Sequence, residues 1–181
     1  MRAISTRSII LTTGMSTVVV EVDQDTFSAV GMAEMSEAES REFCQKTFSE
    51  DLDGCLIIAN KSVWRQFPRT WNNRWLAGNC VLIGDALPTA HFSIGSGTRM
   101  ALKSAIALDR APARHPTTIS AALPDYETFR RPIVGRLVAA ANRSAAWYEN
   151  FAHHMSLDPM DFPMSYLAWS GRMDREKLYA M

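Results

Sequence analysis

Apolar and polar positions divide this chain into a strand-like front and a helix-like back. In SIILTTGMSTVVVEVD two β-branched runs flank Gly14 and predict a hairpin. The runs stand farther apart than a two-residue turn, and Val18, Val19 and Val20 blur the alternation of a half-buried strand. Ser36-Glu37-Ala38-Glu39 is a capping-box sequence, and Phe43, Thr47, Phe48 and Leu52 follow at helical spacing, which predicts a helix to about Asp51. Gly54 interrupts that pattern. LIIAN and SVWRQF then read as two further strands ahead of the turn-rich TWNNRWLAGN. Val81 to Gly84, VLIG, is apolar on both faces, as a central strand covered by helices would be.

Beyond Thr98 the period becomes helical, with Met100, Leu102, Ala105, Ile106 and Leu108 as the expected apolar face. From Thr117 to about His153 the pattern predicts one long bent helix or two in succession. Pro124 is tolerable in a first turn, whereas Pro132 should end or kink the helix. DPMDFPMSYLAWS predicts a last short helix with Asp158 as cap and Pro159 just inside it. The fold class expected from these elements is α/β, with a sheet-forming front half and a helical back half. Neither an internal repeat nor a low-complexity linker is present.

Composition narrows the functional classes. The 181 residues, 47% of them hydrophobic, suffice for a substantial core and predict a soluble globular chain. Lys and Arg balance Asp and Glu at 19 each, so no global field draws the chain to nucleic acid or to a membrane surface. Cys44, Cys55 and Cys80 form an odd set without a C-x-x-C pair, which argues against a disulfide framework or a structural zinc site. MRAISTRSIILTTG has too short an apolar run for a signal or a span. A cytoplasmic location is the expectation.

The candidate chemistry lies in VLIGDALPTAHFSIGSGTR, residues 81–99. A dinucleotide fingerprint fails here: Gly95-Ser96-Gly97 lacks the third glycine and is separated from its strand by a loop. Gly84-Asp85 instead places a carboxylate at a strand end, where it can accept from sugar hydroxyls. Ile94, Gly95, Ser96, Gly97 and Thr98 lead into a helix whose first N–H groups and macrodipole favour negative charge. A hydroxylated chain on one side and an electron-rich ring edge on the other describe a flavin, with ribityl at Asp85 and the pyrimidine edge at the helix start. The alternative is that Asp85 caps a turn and the glycines close a loop. His91, in the loop over that flavin edge, is the candidate catalytic residue, bonding a substrate; the alternative is a loop histidine bonded to backbone. Arg65, Arg69 and Arg74 lie near Trp64, Trp71 and Trp75 in sequence and would suit phosphates with a ring stacked nearby, or be exposed arginines beside core tryptophans. His115 and the His153-His154 pair lack ligand spacing, so no metal is expected.

Gly84-Asp85-Ala86, a loop, then Gly95-Ser96-Gly97-Thr98-Arg99-Met100 and Ala105-Ile106-Ala107-Leu108 resemble the second flavin-binding motif of the FAD-dependent aromatic hydroxylases, the single-component flavoprotein monooxygenases. Tyr126-Glu127 with Arg130-Arg131-Pro132 is similar to the helix that follows it in that family. AHFSIGSGTR, SVWRQFP and LDPMDFPMSYLAWSGR are similar, more narrowly, to the aryl-CoA hydroxylases acting on salicylyl-CoA or 2-aminobenzoyl-CoA. The likeness runs from about Ser16 to near Leu178.

That resemblance implies FAD as cofactor, NAD(P)H as electron donor, oxygen, and an aromatic CoA thioester as substrate. It also implies a division into a remnant of the substrate-domain sheet, residues 1–78, and the carboxyl-terminal part of the FAD-binding domain, residues 79–181. Three departures stand beside the match: Lys103-Ser104-Ala105 where the family usually has Glu-Asp-Ala, Leu87-Pro88 where a His commonly follows, and no G-x-G-x-x-G unit. The sequence therefore leaves three readings open. The chain is part of a hydroxylase completed by an amino-terminal half, which a second chain would supply; or a non-catalytic remnant; or an interaction module that binds no flavin.

Overall fold

The computed structural model describes residues 4–12 and 14–168, which fall into two compact units, residues 4–66 with 148–162 and residues 67–147 with 163–168. The architecture is mixed α/β with helices predominating; among the described residues the sheets are two antiparallel pairs.

In the first unit β1 (Ile4–Thr12) pairs with β2 (Met15–Val22), Ile4 opposite Val22 and Ile9 opposite Thr17. The hairpin is the expected one, but its strands reach further inward than the β-branched runs, to a Thr12–Met15 pair, with a register shift beside Ile10. Next comes α1 (Gln24–Val30), which the apolar pattern did not announce. Its signals are terminal rather than periodic. Asp23 accepts from Thr26 N and Thr26 Oγ1, both at 2.8 Å, and Gly31 closes the helix at φ 73°.

The Ser36 capping box forms: Glu39 N donates to Ser36 Oγ at 3.3 Å and Ser36 N to Glu39 Oε2 at 2.8 Å. It opens α2 (Glu37–Thr47), continued after Phe48 by the single turn α3 (Ser49–Leu52), so helix ends where the spacing placed it. Asp53 and Gly54, both at positive φ, stop it. We expect Ser36→Ala to lower thermal stability by about 1 kcal/mol, as loss of an N-cap does; an unchanged melting curve would show that α2 does not depend on its cap.

The two strands expected in LIIAN and SVWRQF do not form. Their backbone finds α2 side chains in place of a neighbouring strand. Ile57 N donates to Gln45 Oε1 at 2.8 Å, Gln45 Nε2 to Cys55 O at 2.9 Å, and Ser62 N to Glu37 Oε1 at 2.7 Å. With the donors satisfied that way, Leu56, Ile58 and Val63 stay exposed. Later in the chain this unit holds α6 (Phe151–His154), whose Phe151 meets Phe162 edge-on at 6.1 Å.

The second unit has a helical core, and here the expectation of a central VLIG strand is corrected. Only Cys80–Val81 is strand: β4 pairs with β3 (Leu76–Ala77) in a minimal hairpin around Gly78. After Leu82, whose N–H is taken by Trp75 O at 2.9 Å, the chain turns at Gly84 (φ 62°) into the 3-10 turn Gly84–Ala86. Val81 and Leu82 pack against a helical cluster and not against flanking strands, while Ile83 stays exposed. Trp75, Leu87, Met100, Ala107, Ala111, Ala122, Tyr126, Val134 and Ala141 form this buried cluster.

Two helices supply most of that cluster, α4 (Gly97–Arg114) and α5 (Ile119–Glu149). On α4 the buried positions are Met100, Ser104, Ala107 and Ala111. The expected face was offset: Leu102 and Ile106 are 61% and 46% exposed, because small side chains let α4 pack closely where bulky ones would hold it off. α5 is one uninterrupted helix with Pro124 and Pro132 both inside it, so Pro132 does not end it. Buried Tyr126 and Arg130 before the proline, and Val134 and Val138 after it, hold the path across the missing hydrogen bond. The last helix, α7 (Asp161–Ala168), begins after a turn at 159–160, not at Pro159, and its Ser165 accepts from Trp147 Nε1 at 3.0 Å. Among the described residues no helix is long and apolar enough to cross a membrane.

Candidate functional site

Asp85 sits in the 3-10 turn Gly84–Ala86, which packs against α4: a Cβ built on Gly84 would stand 3.6 Å from that of Ala101. The carboxylate is exposed and makes no hydrogen bond among the described residues. It is not the cap of its own turn, whose N-cap is Ile83. Ala101 lies about one turn beyond the start of α4, so Asp85 stands beside the helix's amino-terminal end.

That end is open. Ser96, 3% exposed, occupies the N-cap position without capping; its hydroxyl donates to Ile94 O at 3.2 Å and accepts from Arg99 Nη2 at 3.1 Å. The N–H groups of Gly97, Thr98 and Arg99 find no acceptor among the described residues, and the space beside Gly97 is empty to 4 Å. Gly95 takes φ 58°, a conformation that favours glycine, and closes the 3-10 turn Phe92–Ile94 by donating to Phe92 O at 2.8 Å. An uncapped helix start with open space beside it and a carboxylate nearby can meet a ligand with acceptors on one edge and hydroxyls on another.

His91 precedes this turn. Its Nδ1 accepts from Ser93 N at 3.3 Å, its ring stacks on Phe92 at 4.5 Å, and Phe67 meets it edge-on at 5.4 Å. These contacts set its ring in the loop that carries Ile94 to Thr98. The tryptophans separate by role. Trp75 is 1% exposed in the core, with Nε1 donating to Asn72 O at 3.1 Å. In the other unit Trp64 Nε1 donates to Ser40 Oγ at 3.1 Å. Arg65, Arg69 and Arg74 are exposed. His115 Nε2 stands 3.5 Å from Asp125 Oδ2, which also pairs with Arg114 at 2.7 Å; the Arg114 guanidinium holds the Asp125 carboxyl below its ordinary value. No cluster of three potential metal ligands occurs among the described residues.

The residue pattern passed over a second arrangement. Arg130 is 4% exposed, with Nη2 3.3 Å from Ser104 Oγ and 3.5 Å from Met100 O. Its signal was available: on α5 it falls in the stripe Tyr126, Arg130, Val134, Val138, a cation where the period requires a buried side chain.

No family model matches the chain. Curated relatives do. A salicyloyl-CoA 5-hydroxylase of a Streptomyces species is 34% identical over 166 residues, 86% of this chain and 32% of the relative. A 3-hydroxy-4-methyl-anthranilyl-[aryl-carrier protein] 5-monooxygenase of Streptosporangium sibiricum is 46% identical over 101 residues, 56% of this chain and 28% of that protein. Over these stretches the chain is similar to aromatic monooxygenases, as a partial match. A protodeoxyviolaceinate monooxygenase of Chromobacterium violaceum, 35% identical over 153 residues, extends the relationship across 84% of this chain and 41% of that protein. The chain spans between 28% and 41% of the length of these relatives.

Proposed function

We propose that this chain is the carboxyl-terminal part of the FAD-binding domain of a monooxygenase that hydroxylates an aromatic CoA thioester, such as salicylyl-CoA or 2-aminobenzoyl-CoA, with NAD(P)H as electron donor. The observation that carries the reading is the pairing of an exposed, unbonded Asp85 carboxylate with the uncapped start of α4. The residues present fit a flavin's ribityl and ring edge: Asp85 would accept from hydroxyls, and the Gly97 and Thr98 N–H groups would donate to the pyrimidine edge. Gly97, with open space beside it, lets a flat ring approach. FAD, when bound, supplies the oxygen chemistry; the protein supplies position and field. In this reading His91, the candidate catalytic residue, would bond the substrate from the loop ahead of α4, and the positive end of α4 would favour negative charge at the ring edge.

The relatives' names support an aromatic substrate, two of them as a thioester or carrier-bound acyl group. The remainder of the cofactor site lies in a dinucleotide-binding unit whose G-x-G-x-x-G signature the chain lacks. With such a unit supplied in cis, Asp85→Ala should weaken FAD binding by about 1–3 kcal/mol, and Asp85→Asn by less, because an amide oxygen still accepts. The melting temperature of the chain should barely move, since an exposed residue without hydrogen bonds contributes within about 0.5 kcal/mol. Unchanged flavin affinity in both variants would reduce Asp85 to a loop residue and remove the proposal's main support.

A further inference from the structure

Between α4 and α5 runs a groove of about 570 Å³ whose charge is one-sided. Arg99, Lys103, Arg110, Arg114 and Arg130 line it, and no acidic side chain does. The chain as a whole is neutral, so this is a local concentration of charge and not a consequence of composition. Along α4 the four cations Arg99, Lys103, Arg110 and Arg114 stand four, seven and four residues apart, on one face. Between them the walls are apolar, formed by Ile106, Phe129, Ile133 and Leu137. Arg114 is answered by Asp125. Arg130, the most buried of the five, has no carboxylate partner; two neutral oxygens of α4 accept from it at long range, and its buried Nε has no acceptor among the described residues.

A buried cation without counter-charge is unfavourable, and burial pushes the Arg130 guanidinium down from its ordinary pKa. An anion in the groove would relieve that deficit. The apolar walls, with Phe129 beneath Arg114 at 5.9 Å, specify what carries the charge. We propose that the α4–α5 groove is a binding site for a small amphipathic anion, a carboxylate on an aromatic or other apolar body, with Arg130 as its buried counter-ion. The groove meets the start of α4 at Arg99, but its charge is centred on Arg130 and the proposal does not depend on the flavin reading.

Sodium benzoate, titrated calorimetrically into the 181-residue chain at low salt, tests it, with benzamide and inorganic phosphate as comparisons. Benzoate should bind saturably at millimolar concentration and raise the melting temperature. Benzamide, which has the ring without the charge, should do neither, and phosphate, which has charge without the ring, should bind more weakly. Ser104→Asp places a carboxylate beside Arg130, so it should raise the melting temperature without ligand and remove the benzoate response. Lys103→Glu, at an exposed position, should weaken benzoate about tenfold or more by reversing the charge at the groove, and it serves as the test if Ser104→Asp does not fold. Absence of saturable benzoate binding, equal binding of benzamide, tighter binding of phosphate, or unaltered benzoate affinity in the folded variants would each overturn the proposal.

Discussion

Incubated with excess FAD and passed through gel filtration, the chain alone should emerge without a flavin spectrum. Asp85 and the start of α4 address only hydroxyls and one edge of the ring. A pyrophosphate needs a glycine-rich turn that lets backbone N–H groups approach it, and the only G-x-G in the sequence, Gly95 to Gly97, is followed by Met100 where the third glycine would stand. Charge-assisted hydrogen bonds contribute about 1.5–3 kcal/mol each, so lacking two of them weakens binding by about 10²–10⁴-fold. A ligand held that weakly dissociates during filtration. Near-stoichiometric FAD in the protein peak would show instead that the chain carries a complete site.

The second large effect is on folding. Trp75→Ala should lower the stability of the second unit by about 3–5 kcal/mol. Trp75 is the largest fully buried side chain, 6.2 Å from the Tyr126 ring and 6.3 Å from that of Trp71. It joins the β3–β4 hairpin to α5, and its truncation also removes the hydrogen bond to Asn72 O. Since a domain's total stability is about 5–15 kcal/mol, the variant should lose much of its cooperative thermal transition. A melting curve within about 1 kcal/mol of the parent would mean that the surrounding helices collapse into the space, which rigid helix contacts through Ala111, Ala122 and Ala141 oppose.

Where a signal is local, the residues announced the structure. The Ser36 capping box is four consecutive residues whose partners are one another, so nothing distant decides it. Gly95, Ser96 and Gly97 likewise announced a helix start, and α4 begins at Gly97. The hairpin of β1 and β2 followed from β-branching and a glycine. The missed α1 had its cap and stop in plain view, Asp23 and Gly31, but lacked the apolar period that was being sought.

Strands and charges behaved differently. LIIAN and VLIG are strand-like in residue type, yet a strand exists only with a partner. Gln45 on α2 took the Ile57 N–H of the first segment, and in the second Val81 and Leu82 packed against a helical cluster. Pro132 read as a break because its lost hydrogen bond is local, whereas the packing of Tyr126, Arg130, Val134 and Val138 that outweighs it is not. For the site, the sequence by itself determined the helix start and the presence of a carboxylate after Gly84, since caps and glycine conformations are properties of neighbours in the chain. Only the tertiary structure decided that Asp85 is left unbonded beside α4 and that Arg130 is buried opposite Ser104 without a counter-charge, because burial and pairing depend on which helix lies across the core.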